Sequence, residues 1–180
     1  FSEFHVSTVR CRLAYDVAST LPMFNLTIPL SATDHVIGPS HATISVVEYG
    51  DFECPNCKQA APAVKLLLRH FDDRVRFAYR HFPLEEVHPH ALHAAEAAEC
   101  AGGQRRFWPM HDVLFDNQRH LKLPQLREYA ERLELDMGRY STEMDEAFYL
   151  QRIREHVEGG KASGVRATPT FFVNGTIVDV

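Results

Sequence analysis

The chain of 180 residues has no apolar run of the roughly 18 residues that would carry a helix across a bilayer. Pro, Lys, Asn or Glu interrupts every apolar stretch well short of that, so the sequence predicts no membrane insertion. It has no surplus of base either. With 24 acids against 19 bases and a formal charge of −5, neither nucleic acid nor an anionic membrane surface is expected as the main partner. Four cysteines are too few for a disulfide-built scaffold of this length. Internal repeats and low-complexity segments are also lacking. What is present in quantity is core material: 12 Phe, 6 Tyr and a 45% hydrophobic composition, which excludes a disordered chain and suffices for one domain, or one domain carrying an insertion. The cysteine count leaves three arrangements open: two pairs, one pair with two singles, or a metal site.

The chain begins with Phe1, and residues 1–22 show no basic start followed by an apolar run, so no export signal is read there. Met23 is either a natural start or an ordinary internal residue. Leu26, Ile28 and Leu30 alternate like a short edge strand, so residues 1–32 are taken as an N-terminal extension holding one possible strand.

Residues 43–49 are β-rich and almost continuously apolar, the pattern of a central strand. Gly50 and Asp51 end it, and a helix is expected from about Cys54 to His70, with Ala60, Val64, Leu67, Leu68 and Phe71 on one face and a kink at Pro62. Val75, Phe77 and Tyr79 alternate with Arg76, Ala78 and Arg80 in a second strand. Residues 84–163 then turn helical. An Ala-rich helix over 90–101 stops at Gly102-Gly103; Phe107, Met110, His111 and Leu114 mark a second; Pro124 opens a third. Tyr140, Met144, Ala147, Phe148, Ile153 and Val157 mark a longer fourth, ending at Gly159-Gly160. Asn174-Gly175, between two β-rich triplets, is a strong hairpin signal. The organisation is therefore α/β: residues 33–83 and 164–180 form one domain, interrupted by a helical insertion over 84–163.

Cys54-Pro55-Asn56-Cys57 stands just after the central strand and opens a helix. Thiol–disulfide exchange proceeds through a thiolate, and free N–H groups at a helix N-terminus stabilise one. Two intervening residues in a helical turn bring the second sulfur to the first, so Cys57 can resolve a mixed disulfide on Cys54. Pro55 suits the first helical turn, where no hydrogen bond is lost. The rival is a zinc knuckle, which needs two further ligands at workable spacing. Cys11 and Cys100 stand alone, and His88, His90 and His93 lie at a helix start that looks solvated, so no metal is expected. Cys100, among alanines, reads as a buried inert thiol. Phe107, Trp108 and Met110 read as core, and the 11 histidines as mostly surface residues.

With these residues in view, the sequence resembles the thioredoxin superfamily, and within it the DsbA-like branch, over about residues 33–180. The resemblance rests on residues 46–57, with Glu48 six positions before Cys54; on Pro62, five after Cys57; on residues 80–84 and 107–111; and on Thr168-Pro169 with the strand that follows. It implies a thioredoxin-like fold with an inserted helical subdomain. It further implies a buried Glu48 that accepts the proton of Cys57, a cis bond before Pro169, and a backbone edge at Thr168 where an extended substrate pairs as a strand. Pro55 and Asn56 would border that substrate site. Asn56 departs from the strongest oxidants of the branch, which carry His there, so a milder oxidant is expected. The branch usually continues past the hairpin into a final helix. Without it an apolar sheet face would need residues 1–30 or a second copy of the chain, a possible homodimer, to cover it. The implied partners are protein or peptide thiols and a redox-recycling protein, with no cofactor. The alternative is a peptide-binding module in which the cysteines are incidental. The absence of an export signal points to the cytoplasm, with a periplasmic or other extracytoplasmic setting as the alternative.

Overall fold

The structure is a computed structural model that describes residues 25–178. Five strands form one mixed sheet: β1 (His35–Ile37), β2 (Ile44–Gly50), β3 (Val75–His81), β4 (Thr170–Val173) and β5 (Thr176–Val178), in the order β1-β3-β2-β4-β5. β2 and β3 are parallel and joined by helix α1 (Pro55–Phe71), as parallel neighbours require a crossover. β1 pairs antiparallel with β3, β4 with β2, and β5 with β4. Five helices lie between β3 and β4: α2 (Ala91–Gly103), α3 (Phe107–Asp116), α4 (Leu123–Arg132), α5 (Met137–Asp145) and α6 (Leu150–Ala162).

The sheet separates two cores. On one face Val46, Phe77 and Tyr79 join Phe52, Cys57 and the buried sides of α2, α3 and α4. On the other, Val47, Tyr49, Ala78, Phe82 and Phe172 are covered by Val157 of α6 and by Leu26 and Leu30. Asn174 and Gly175, at φ 48 and 83, form the hairpin turn between β4 and β5, where both central residues need the left-handed region.

Several expectations are corrected here. The edge strands are β1 and β5, not residues 26–30; Asn25, just before these, makes an isolated bridge to Thr176, while Leu26 and Leu30 serve as a cover over the second core. β3 is not half exposed. Flanked by β1 and β2 and covered on both faces, it buries Ala78 and Arg80 as fully as Phe77. Arg80 is tolerated because Asp34 pairs with it at 2.7 Å and the carbonyls of Ile28 and Pro29 accept its remaining N–H groups. The long fourth helix is two. α5 ends where Phe148 N–H donates to the Glu143 carbonyl and Ala147 N–H to that of Met144, with Ala147 at φ 49. This is a Schellman closure with alanine where glycine is usual, so no glycine marked it. Gly102-Gly103 closes α2, whose last residue is Gly103, but Gly159-Gly160 does not end its helix; α6 runs on to Ala162, and a Cβ on Gly102 or Gly160 would meet the His35 ring at 2.6 Å or the Phe82 ring at 2.9 Å. Two histidines depart from the surface expectation: His81 and His111 are buried.

Candidate active site

β2 delivers Glu48 on the face it shares with Val46, opposite Tyr79 of β3. The strand ends at Gly50, whose missing Cβ makes room for the Tyr79 ring; a Cβ there would lie 2.5 Å from it. A short turn, with the Cys54 N–H donating to the Asp51 carbonyl, brings the chain to Cys54, the residue capping α1. Pro55 is the first helical residue, and Pro62 lies inside the helix.

Cys54 and Cys57 are both free thiols and both buried, Cys57 completely. The Cys54 thiol donates to the Thr168 carbonyl at 3.2 Å. The Thr168–Pro169 bond is cis. These contacts join the two ends of the sequence at one point: 114 residues separate Cys54 from Thr168. The Thr168 hydroxyl is buried without a partner beside the dithiol, which leaves it as a donor to the Cys54 sulfur once that sulfur is a thiolate. The Cys54 pKa falls from about 9 to about 5. The hydrogen bond from Cys57 is the largest cause; it outweighs burial, and Thr168 and the N–H groups of Cys57 and Asn56 add to it. Cys57 moves the other way, far above the ordinary thiol range, through its bond to Cys54, its burial and the nearby Glu48. The pair is therefore polarised into one thiol that ionises readily and one that holds its proton.

Glu48 is 2% exposed, and its Oε1 has no hydrogen-bond partner among the described residues. Burial, with a smaller push from the charge of Cys54, raises its pKa to about 8. A carboxyl in that state can take or give a proton near neutrality.

Sequence reasoning missed the groups that hold this loop. The Asp51 carboxylate is buried. Its Oδ1 accepts from the Glu53 N–H at 2.7 Å, and its Oδ2 from the Leu84 N–H and from His88 Nδ1, both at 2.8 Å. The Asp51 N–H in turn donates to Cys57 Sγ at 3.4 Å. His88 is thus a partner of the active-site loop and not a solvated residue. Gln118, just beyond α3, donates one amide to the carbonyls of both Phe52 and Cys54. The one hint in the sequence was an Asp three residues before the first cysteine; nothing pointed to Gln118, because its partners lie more than 60 positions away. Among the described residues the only donors close enough for a shared cation are His81, Glu99 and His156, and neither cysteine is among them. Glu99 is already engaged there by hydrogen bonds with His35 and His81 and by an ion pair with Arg152, at 2.9–3.0 Å. Cys100 is fully buried in α2, and Cys11 lies outside the described residues.

Comparison with known proteins bears on the family and the fold. The family model described as thioredoxin matches residues 30–180. A thioredoxin-like oxidoreductase from Silicibacter pomeroyi superposes with a TM-score of 0.74 at 25% identity, over 82% of this chain and 84% of that one. The oxidised form of BdbD from Bacillus subtilis gives the same TM-score and coverage at 21% identity, which speaks to the fold. By sequence, the chain is 50% identical over 154 residues to the Na(+)/H(+) antiporter NhaA 1 of Salinispora arenicola. That match takes in 85% of this chain and 24% of the antiporter, so the chain spans about a quarter of the length of such relatives. No helix among the described residues is long and apolar enough to cross a membrane. The chain belongs to the thioredoxin family, with a DsbA-like fold.

Proposed function

We propose that the chain is a thiol–disulfide oxidoreductase acting on protein or peptide thiols through Cys54 and Cys57. The observation that carries this is the polarised pair: a Cys54 thiol with its pKa lowered to about 5, at the start of α1 and against the Thr168 carbonyl, with Cys57 buried behind it. In the oxidising direction a substrate thiolate attacks Cys54 of the disulfide, forming a mixed disulfide and releasing Cys57 as a thiolate that takes a proton. A second substrate thiolate then attacks the substrate sulfur, and Cys54 leaves as the thiolate. Two substrate thiols become one disulfide while the enzyme disulfide becomes a dithiol. The reducing direction is the reverse, with Cys57 resolving. Glu48 is the group that accepts or returns the Cys57 proton. The cis bend at Thr168-Pro169, which Cys54 meets, borders the place where an extended substrate segment would lie, with Pro55 and Asn56, next in sequence to Cys54, as its further border. Regeneration calls for a separate redox partner.

The test is reduction of insulin by thiol-regenerated protein. Cys54→Ser should abolish turnover while leaving the fold intact by circular dichroism; turnover that survives would leave the peptide-binding alternative standing. The expectation of a cytoplasmic setting has no support in the comparisons, and the branch resemblance favours an extracytoplasmic one.

A second reading concerns context. The long match to a quarter of a sodium/proton antiporter favours a redox module that works within or beside such a transporter. Antiport by the full-length protein in vesicles, compared in dithiothreitol and in oxidised glutathione, tests it: equal rates would reject it.

A further inference from the structure

Behind the redox pair, between α1 and α3, the sheet face that carries Glu48 opens into a pocket of about 330 Å³. That is the size at which small-molecule sites begin, about 300–1,000 Å³. Ala61, Val64 and Leu68 of α1 form one wall, and Phe77 of β3 and Trp108 of α3 the other. At the rim Lys65 pairs with Asp112 at 2.8 Å, both about half exposed, so a modest side-chain movement widens the entrance. Apart from Arg69 and the buried His111, the walls are apolar and partly aromatic. Set among them is one nearly buried carboxyl, Glu48, whose Oε1 has been withdrawn from water and given no partner. A buried acceptor left in that state is costly, and a bound molecule that donates to it recovers the cost.

We propose that this pocket binds a small, mainly apolar molecule carrying a primary-amide head that pairs with the Glu48 carboxyl, and that its occupancy is coupled to the redox state of Cys54 and Cys57. The head group follows from the carboxyl. A neutral carboxyl has one acceptor and one donor, and an amide offers the matching N–H and C=O. The apolar remainder follows from the walls, with an aromatic ring suited to Phe77 and Trp108. The coupling follows from charge. In the dithiol form the negative Cys54 sulfur adds to burial, the larger cause, in keeping Glu48 protonated. In the disulfide that charge is gone, Glu48 ionises more readily, and the amide carbonyl loses its donor. The ligand therefore prefers the dithiol, and by reciprocity it makes the disulfide more oxidising.

This coupling rests on the proposed redox chemistry, but binding is read without turnover. Trp108 is the chain's one tryptophan and lines the pocket, so its emission reports occupancy. Benzamide is titrated into the dithiol and the disulfide forms, with toluene as the headless control. The expected result is a saturable change, at least threefold tighter for the dithiol than for the disulfide and tenfold tighter than toluene. Ala61→Phe and Leu68→Trp each fill the pocket from α1; the folded variant, or both if both fold, should lose at least tenfold in affinity, with a variant's added emission subtracted by its own baseline. A non-saturable response, affinity retained in a folded filled variant, or toluene binding as tightly as benzamide overturns the site. Equal affinity for the two redox forms overturns the coupling. If the redox reading itself fails, insulin turnover is absent while benzamide still binds; if only the pocket fails, turnover remains and binding is absent.

Discussion

Cys54 and Glu48 carry opposite perturbations within one small volume, and each has a measurable consequence. Alkylation by iodoacetamide follows the thiolate, so the rate for Cys54 should rise with a midpoint near pH 5 instead of near 9; a midpoint above 8 would contradict the polarised pair. Glu48 is raised from 4.5 to about 8, so between those values the folded state holds a proton that the unfolded chain has lost. Its contribution therefore lowers stability as pH rises through that interval. Glu48→Gln should remove this loss and, at pH 8, raise stability by about 1–3 kcal/mol in urea unfolding, since a buried unpartnered carboxylate is replaced by a neutral group. The same change should slow resolution of the mixed disulfide on the order of 10²-fold, seen in single-turnover kinetics with a peptide disulfide.

Among the elements, α6 shows how closely the helical insertion is pressed to the sheet. Gly160 faces the rings of Phe82 and Tyr49, and an added Cβ would lie 2.9 Å and 3.0 Å from them. Both rings belong to the second core and cannot swing away into solvent. Ala would gain about 1 kcal/mol in helix propensity, but overpacking costs about 1–3 kcal/mol, so Gly160→Ala should lower stability by up to about 2 kcal/mol. A stabilised variant in thermal melts would show that α6 sits farther from Tyr49 than described. The glycine pair was visible in the sequence and was read as a helix end, because a helix stop and a close helix–sheet contact select the same residue. Only contact with the Tyr49 and Phe82 rings separates the two cases. The end of α5 at Ala147 was missed for the converse reason: its closure is made by backbone hydrogen bonds that left no glycine behind.

At the scale of the whole molecule, redox state and pH act on stability together. In the dithiol form the lowered Cys54 contributes stability that is full above about pH 9 and is lost as pH falls through about 5. Glu48 contributes the opposite slope between about 4.5 and 8. The two offset, so in the dithiol form this pair of groups adds almost no slope from pH 5 to 8. The disulfide form lacks the Cys54 thiolate and keeps only the falling slope. Calorimetry of the two forms should therefore give a Tm difference, dithiol minus disulfide, that increases from pH 5 to 8; a difference that decreases over that range would refute the assignment.

The sequence alone determined those features whose causes are local. The Cys54-Pro55-Asn56-Cys57 helix entry, the Asn174-Gly175 turn and the alternation of strand and helix each depend on residues within one turn of each other, and all are where the sequence puts them. The resemblance to the DsbA-like branch added the acid at Glu48 and the Thr168-Pro169 loop. Tertiary structure decided the rest. Whether Arg80 faces water or Asp34 depends on β1 and residues 28–29 closing over β3. Whether Asp51, His88 and Gln118 serve the cysteines depends on loops brought together from up to 66 positions apart. Hydrogen-bonding capacity is written in each side chain, but its partner and its burial are set by whatever other segment covers it, and that follows from packing, not from local order.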